Sequence, residues 1–192
     1  MNGSIWRYWR RTMNEAVETV LFHETTILSR LDEMAREISA DFAGRELTVV
    51  VILHGSMIFM SDLLRRIDLP MTIDSIRVSS YHGGTTSSGV VTFNQKTLPD
   101  IAGKDVLVVD DILDTGRTLR AILDRLREEG EPASVRSCVL LDKADARVVD
   151  VDVEYVGFEI GDEFVIGYGL DYDGHYRNLP FVGTLKAEYV KG

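Results

Sequence analysis

The sequence predicts an α/β fold built on a doubly wound, mainly parallel sheet, and three observations carry that expectation. Leu47–Leu53 (LTVVVIL), Val106–Val109 and Val135–Leu141 are apolar runs rich in β-branched residues, the pattern of strands covered on both faces. Segments with apolar residues at spacings of three and four lie between these runs, so strands alternate with amphipathic helices. Small or acidic residues follow two of the runs at once, at the strand ends where open α/β sheets bind ligands. At 192 residues the chain fits a single domain at 15–192, with residues 1–14 as an extension. A chain of this size buries roughly 70% of its unfolded surface, enough for a core without disulfides or metals.

Taken in order, residues 25–42 read as a helix that Thr25 or Thr26 can cap, with Ile27, Leu31, Met34 and Ile38 on one face. After the strand at Leu47–Leu53, the turn His54-Gly55-Ser56 leads into a helix marked by Met57, Met60, Leu63, Leu64 and Ile67 and ending before Pro70. Residues 73–80 alternate Ile76 and Val78 with Arg77 and Ser79, as a strand does. Ser80–Gly89 (SYHGGTTSSG) has almost no core-forming residue and reads as a loop, and Val90–Phe93 can pair back as a hairpin. Beyond Val106–Val109, a helix presents Leu119, Ile122, Leu123 and Leu126, with Gly130 past its end. Short strands near Tyr155–Phe158 and Phe164–Tyr168 complete the sheet, and the N-terminal helix joins the last twenty residues in a small cap. Asp150, Asp152 and Glu154 alternate with Val149, Val151 and Val153, which fits a half-solvated strand or turn and not a metal site.

Charge and cysteine narrow the function. Twenty-one Lys and Arg against 31 Asp and Glu give a net charge of −10, which argues against wrapping nucleic acid or lying on an anionic membrane. The single Cys138 sits beside Val139-Leu140-Leu141, so a buried thiol in a reducing compartment is expected. The opening MNGSIWRYWRRT lacks the apolar stretch of a signal peptide and reads as a frayed extension. No run approaches 18 apolar residues, so a cytoplasmic protein is expected.

The chemistry concentrates in Val108–Leu119 (VVDDILDTGRTL). Two carboxylates ending a buried strand repel each other unless a hydroxylated or cationic group relieves them, as a ribose diol or a divalent cation does. Thr115, Gly116 and Thr118 then open a helix whose free N–H groups, hydroxyls and dipole suit a phosphate. A phosphorylated sugar matches that spacing. Taken singly, Asp114 or Thr115 reads better as a helix cap and the acidic pair as solvated charge, but capping does not call for two carboxylates on the preceding strand. A phospho-accepting receiver domain would place its acidic pair near the start of the domain, and GGTTSSG lacks the Lys of a nucleotide-triphosphate loop.

This segment resembles the phosphoribosyl pyrophosphate signature of type I phosphoribosyltransferases. LHGSMIFMSDLLRRI, VSSYHGGTTSSG and DKADARVVDVDVEYVGFEIGDEFVIGYGLDYDGHYRNLPFVG are similar to successive motifs of the hypoxanthine-guanine phosphoribosyltransferases, from about Val20 to Leu185. The resemblance implies the type I phosphoribosyltransferase fold and transfer of ribose 5-phosphate from phosphoribosyl pyrophosphate to a 6-oxopurine. The products would be a nucleoside monophosphate (IMP or GMP) and pyrophosphate. It further implies that Asp110 and Asp111 hold the ribose hydroxyls and, through water, Mg2+, and that Asp114, Thr115, Gly116, Arg117 and Thr118 hold the 5-phosphate. Asp114 would be the catalytic residue near purine N7. Leu53, His54 and Gly55, with a non-proline cis peptide, and Arg177 would meet pyrophosphate, while Ser80 and Tyr81 would tip a closing lid. Lys143 would donate to the 6-oxo group, Phe164 stack on the base, and Val165 and Asp171 line its other edge, Asp171 also reaching Mg2+ through water. A homodimer or homotetramer follows from the same resemblance, with neither nucleic acid nor membrane as partner.

Two positions depart from the motif. His54 stands where Lys is usual, exchanging a permanent cation for a group that changes charge near neutrality, so altered pyrophosphate affinity is expected. Asp110 replaces a more usual Glu, one methylene longer, which makes a water-bridged ribose contact the expectation. Two other readings stand beside this one: a xanthine-preferring relative, and an RNA-binding regulator on the same fold, against which the net charge weighs.

Overall fold

The computed structural model describes residues 15–80, 91–94 and 97–189, with only the backbone at Ser79, Ser80 and Val91. The expected extension at 1–14, Tyr81 and the remainder of the expected loop through Gly89 lie outside the described residues. In chain order the elements are β1 (Val17–Phe22), α1 (Glu24–Asp41), β2 (Leu47–Leu53), α2 (Met57–Leu64), β3 (Met71–Ser80) and β4 (Val91–Phe93). They continue with β5 (Asp105–Leu113), α3 (Arg117–Gly130), β6 (Ser134–Asp142), β7 (Tyr155–Glu159), β8 (Val165–Ile166) and β9 (Val182–Leu185).

Strands β3, β2, β5, β6 and β7 form a parallel sheet in that spatial order, with β4 antiparallel on the β3 edge. The unbroken apolar runs follow from burial on both faces. Val49 and Val51 of β2 face one core with Ile27, Leu31 and Met34 of α1 and Phe59 and Leu63 of α2. Val50 and Ile52 face the other, with Leu119, Ile122, Leu123 and Leu126 of α3. Each such side chain contributes about 1.5–3 kcal/mol on burial. Cys138 is free and buried in the first core, and burial pushes its thiol well above the ordinary range.

At the amino end of the sheet, Tyr155 donates its hydroxyl to Asp41 at 2.8 Å, and Arg136 donates to both Tyr155 and Asp41. This cluster ties α1 to β6 and β7 at the end of the sheet remote from the carboxyl ends. Among the described residues, no helix is long and apolar enough to cross a membrane.

Several elements differ from their sequence reading. Helix α1 begins at Glu24, so Thr25 and Thr26 lie inside its first turn; the capping position is His23, which makes no side-chain cap. Helix α2 ends at Leu64, well before Pro70. Strand β5 runs on through Asp110 and Asp111 to Leu113 because β6 continues beside it, pairing Asp110 with Val139 and Leu113 with Asp142. Gly130 is the last residue of α3, not the residue after it, and the left-handed cap is Glu131 at φ 47°. Gly130 answers to packing, since a Cβ there would lie 2.6 Å from Ile101 Cδ1.

The expected strand at Phe164–Tyr168 does not complete the main sheet. Only Val165–Ile166 is extended, and it pairs antiparallel with β9, which pairs with β1 in a separate three-stranded cap. The N-terminal contribution to that cap is therefore a strand, while α1 packs on the main sheet. The acidic stretch before β7 is irregular: Glu154 accepts from the Ser137 N–H and hydroxyl, and Val151 and Val153 turn into the core.

Candidate active site

Strand β2 lies between β3 and β5, so sheet growth reverses there, and the crevice outside their carboxyl ends is the place where such sheets bind ligands. A cavity of about 200 Å³ opens at that point, lined among others by Leu53, His54, Gly55, Asp110, Asp111 and Thr118. Ile52, Val78 and Ile112 supply its apolar wall.

Backbone close approaches set the geometry on the β2 side. The Leu53–His54 peptide is cis, the form implied by the motif. A Cβ at Gly55 would lie 1.7 Å from Asp111 Oδ2, so only glycine lets that carboxylate rest against the loop. From the other side Gly169, at φ +107°, presses on Gly55, where a Cβ would come within 2.0 Å of the Gly55 carbonyl oxygen. Arg177 donates to the Gly169 carbonyl at 2.7 Å and pairs with Asp171 at 2.7 Å, and Asp171 also accepts the Gly174 N–H at 2.8 Å. Tyr168 donates to Asp62 of α2 at 2.7 Å, which fastens this loop to the helix following the cavity.

On the β5 side, Asp110 is buried and takes the Asp111 N–H on its own carboxylate at 3.0 Å. Burial raises both carboxyls above the ordinary range; Asp110 is pushed further by the neighbouring charge of Asp111, while Arg177 pulls Asp111 partly back. Beyond the strand, Asp114 is exposed, Gly116 caps α3 at φ +83°, and the helix starts at Arg117. The hydroxyls of Thr115 and Thr118 are uncommitted to hydrogen bonds among the described residues, so they and the first N–H groups of α3 remain open to a ligand. Lys143 is only 7% exposed, and its ammonium makes no hydrogen bond or ion pair among the described residues. Its Nζ is not among the buried polar atoms left without a partner, so the ammonium reaches the surface and is free to donate to an acceptor on a ligand.

Comparison with known proteins agrees with this geometry. Residues 19–173 match the phosphoribosyl transferase domain family. A hypoxanthine-guanine phosphoribosyltransferase from Streptococcus pneumoniae is 45% identical over 172 residues, covering 90% of this chain and 95% of the relative. One from Staphylococcus epidermidis is 47% identical over 176 residues, covering 92% and 98%. A crystal structure of a hypoxanthine phosphoribosyltransferase from Staphylococcus aureus superposes with a TM-score of 0.88 at 45% identity, covering 94% of this chain and 98% of that one. The chain belongs to the hypoxanthine-guanine phosphoribosyltransferase family. It is a phosphoribosyltransferase enzyme on the doubly wound fold of that family. A Trypanosoma cruzi hypoxanthine phosphoribosyltransferase variant in a ternary substrates complex also matches, with a TM-score of 0.83 at 39% identity, covering 91% and 98%.

Against that family pattern, the structure gathers Leu53, His54, Gly55, Asp110, Asp111 and Thr118 around one cavity and sets Arg177 close enough to act on Asp111. Lys143 is tied to the same strand end, its N–H donating to the Leu113 carbonyl at 2.9 Å. Phe164 and Val165 stand apart from the cavity wall. Phe164 is half exposed and meets Tyr172 edge-to-face at 5.5 Å, and Val165 is buried in β8. Of the expected lid only the Ser80 backbone is described, at the end of β3; Tyr81 lies outside the described residues. Asp110, Asp111 and Asp171 do not converge as a three-carboxylate metal site among the described residues. The sequence reading missed Gly169 and Tyr168, whose roles depend on contacts with Gly55 and Asp62 more than a hundred positions away.

Proposed function

We propose that the chain transfers the 5-phosphoribosyl group of phosphoribosyl pyrophosphate to hypoxanthine or guanine, giving IMP or GMP and pyrophosphate in purine salvage. One observation carries the reading: a buried aspartate pair lines the cavity with Asp111 resting against the Gly55 turn, and four residues beyond Asp111 the chain reaches Thr115 and the free N–H groups and hydroxyls of a helix start. The pair suits a ribose diol, the helix start a 5-phosphate, and the Leu53-His54-Gly55 turn with Arg177 the departing pyrophosphate.

The bond from the sugar carbon to pyrophosphate breaks as the purine nitrogen forms the new one, and positive charge develops on the ribose. Carboxylates near that centre stabilise the transition state more than the ground state. Asp114, exposed at the turn, accepts or shares the proton at purine N7. Lys143 donates to the 6-oxo oxygen, which disfavours a 6-amino base. Phe164 with an uncovered face is suited to stack on the base, and Val165 and Asp171 line its far edge.

The residues fit an indirectly held magnesium ion. Two buried carboxylates with raised proton affinity gain from a nearby cation, and their number suits an ion bound mostly by substrate phosphates and water. Asp110, Asp111 and Asp171 would meet its water shell; when bound, the ion neutralises charge on the leaving group. The same reading places the enzyme in the cytoplasm as a homodimer or homotetramer, which light scattering after size exclusion would measure.

The test is nucleotide formation from phosphoribosyl pyrophosphate and magnesium with hypoxanthine, guanine, xanthine, adenine and uracil in parallel. Turnover of hypoxanthine and guanine but not adenine is expected. Xanthine as the best substrate would reassign the base pocket, and no turnover with any base, together with RNA retention at low salt, would favour a regulator on this fold.

A further inference from the structure

We propose that Arg147, ion-paired with Asp142, is a positioning residue that fixes the back of the phosphate-binding turn and couples it to Lys143. The inference deepens the proposed reaction and rests on it. Asp142 ends β6 opposite Leu113 of β5. The chain then leaves the sheet, makes a short helical turn at Ala144–Ala146, and returns against residues 115–116. Its path is held at three places. Lys143 N–H donates to the Leu113 carbonyl at 2.9 Å, and the N–H groups of Val148 and Val149 donate to the Thr115 carbonyl at 3.0 and 2.9 Å. Between those anchors the Arg147 guanidinium reaches back to the Asp142 carboxylate, with the two side chains 17% and 19% exposed.

This arrangement controls where the phosphate donors point. A trans peptide is planar with its C=O and N–H on opposite sides. Holding the Thr115 carbonyl on Val148 and Val149 therefore turns the Gly116 N–H the other way, out to the open side of the helix start where an anion binds. The turn also has no room to retreat, because a Cβ at Gly116 would lie 2.2 Å from the Val149 carbonyl oxygen and 3.0 Å from Arg147 Cδ. Arg147 Nε is buried with no hydrogen-bond partner among the described residues. An unpaired buried donor lowers stability, so the guanidinium is held here at a cost. The forked guanidinium can span from the turn to Asp142; an ammonium can pair with that carboxylate but without the fork.

The experiment measures initial rates of the full chain and of Arg147→Met, Arg147→Lys and Asp142→Asn, varying phosphoribosyl pyrophosphate and hypoxanthine separately, with thermal melting in parallel. Arg147→Met is expected to raise KM for phosphoribosyl pyrophosphate about tenfold and KM for hypoxanthine about threefold, by loosening groups that must stay placed. Arg147→Lys should recover part of the loss, and Asp142→Asn should shift both KM values in the same direction. A role in fold stability alone would lower the melting temperature and the active fraction while leaving both KM values at wild type, and that result overturns the proposal. Should Arg147→Met fail to fold, Arg147→Lys decides: a raised KM for phosphoribosyl pyrophosphate supports the role, and an unchanged one refutes it. A wild-type chain that turns over no 6-oxopurine would overturn the proposed function, and this inference with it.

Discussion

Replacing Gly55 with alanine tests the contact that shapes the cavity. The backbone at Gly55 is outside the left-handed region, so alanine adds one methyl group without conformational strain. That methyl would stand 1.7 Å from Asp111 Oδ2 and 2.5 Å from its Cγ, well inside any tolerable contact. Relief cannot come from the opposite side, where Gly169 already packs on the Gly55 carbonyl. The Asp111 carboxylate must therefore swing away by about 1.5 Å, and a displacement of that order at a positioned group costs about 100-fold in rate. Overpacking adds about 1–3 kcal/mol of destabilisation.

The assay follows conversion of hypoxanthine to IMP by absorbance, with kcat/KM for phosphoribosyl pyrophosphate as the readout and Gly44→Ala as the control. Gly44 has open space around it at φ +76°, so alanine there brings strain without a clash. Gly55→Ala should lose about two orders of magnitude in kcat/KM. Retention of activity within about threefold of wild type, a difference worth less than 1 kcal/mol, would refute the reasoning, because Asp111 would then have moved at no cost to the reaction.

Asp114→Asn should cut kcat far more than it raises KM, if its carboxylate acts in the transition state; equal losses would indicate positioning of the ground state. Asp110→Asn should lower activity yet raise the melting temperature of the free enzyme at neutral pH. A carboxyl whose proton affinity is raised by folding contributes stability below its unfolded range and loses it as pH rises through the folded value, so a flat difference across acid and neutral pH would refute this. Tyr155 is pushed up to about 12 from an ordinary 10, first by burial and then by its bond to Asp41, so its contribution is full below pH 10 and lost as pH rises through about 12. Tyr155→Phe should remove that alkaline slope in melting temperature and leave turnover unchanged, the cluster being at the opposite end of the sheet.

The parts of the fold that read directly from sequence are those where one local pattern meets one environment. Leu47–Leu53 is apolar throughout because both faces of β2 are covered, and the strand has those bounds. The face of α3 was visible for the same reason, in Leu119, Ile122, Leu123 and Leu126. The end of β5 was not, since Asp110 and Asp111 break the apolar pattern while β6 keeps the ladder going. Val165–Ile166 is too short to declare its sheet; its partner β9 is chosen by distant chain. Gly130 carried a turn signal that packing against Ile101 overrode. At the site, the acidic pair and the Thr-Gly-Arg-Thr turn were legible as chemistry. Gly169, Tyr168 and the return of Arg147 to Asp142 were not, because nothing local distinguishes them from ordinary loop residues.

The illegible contacts share a physical character that bears on how the site works. Gly55 against Asp111, Gly169 against Gly55, and Gly116 against Val149 are all approaches too close for a Cβ, and each joins segments from different elements. In the last two, backbone is locked against backbone and cannot reorient by changing a rotamer, so the N–H groups these turns present are already aimed when substrate arrives. Donors that need no rearrangement stabilise developing charge most effectively, because reorganisation is spent in folding and not during the reaction. The opposing element is the buried Asp110–Asp111 pair, which folding holds against its own repulsion. A rigid cradle of backbone donors beside a destabilised acidic pair favours the bound state on both sides. The donors gain an anion, the carboxylates gain hydroxyls or a cation, and the binding energy of one sugar phosphate relieves both.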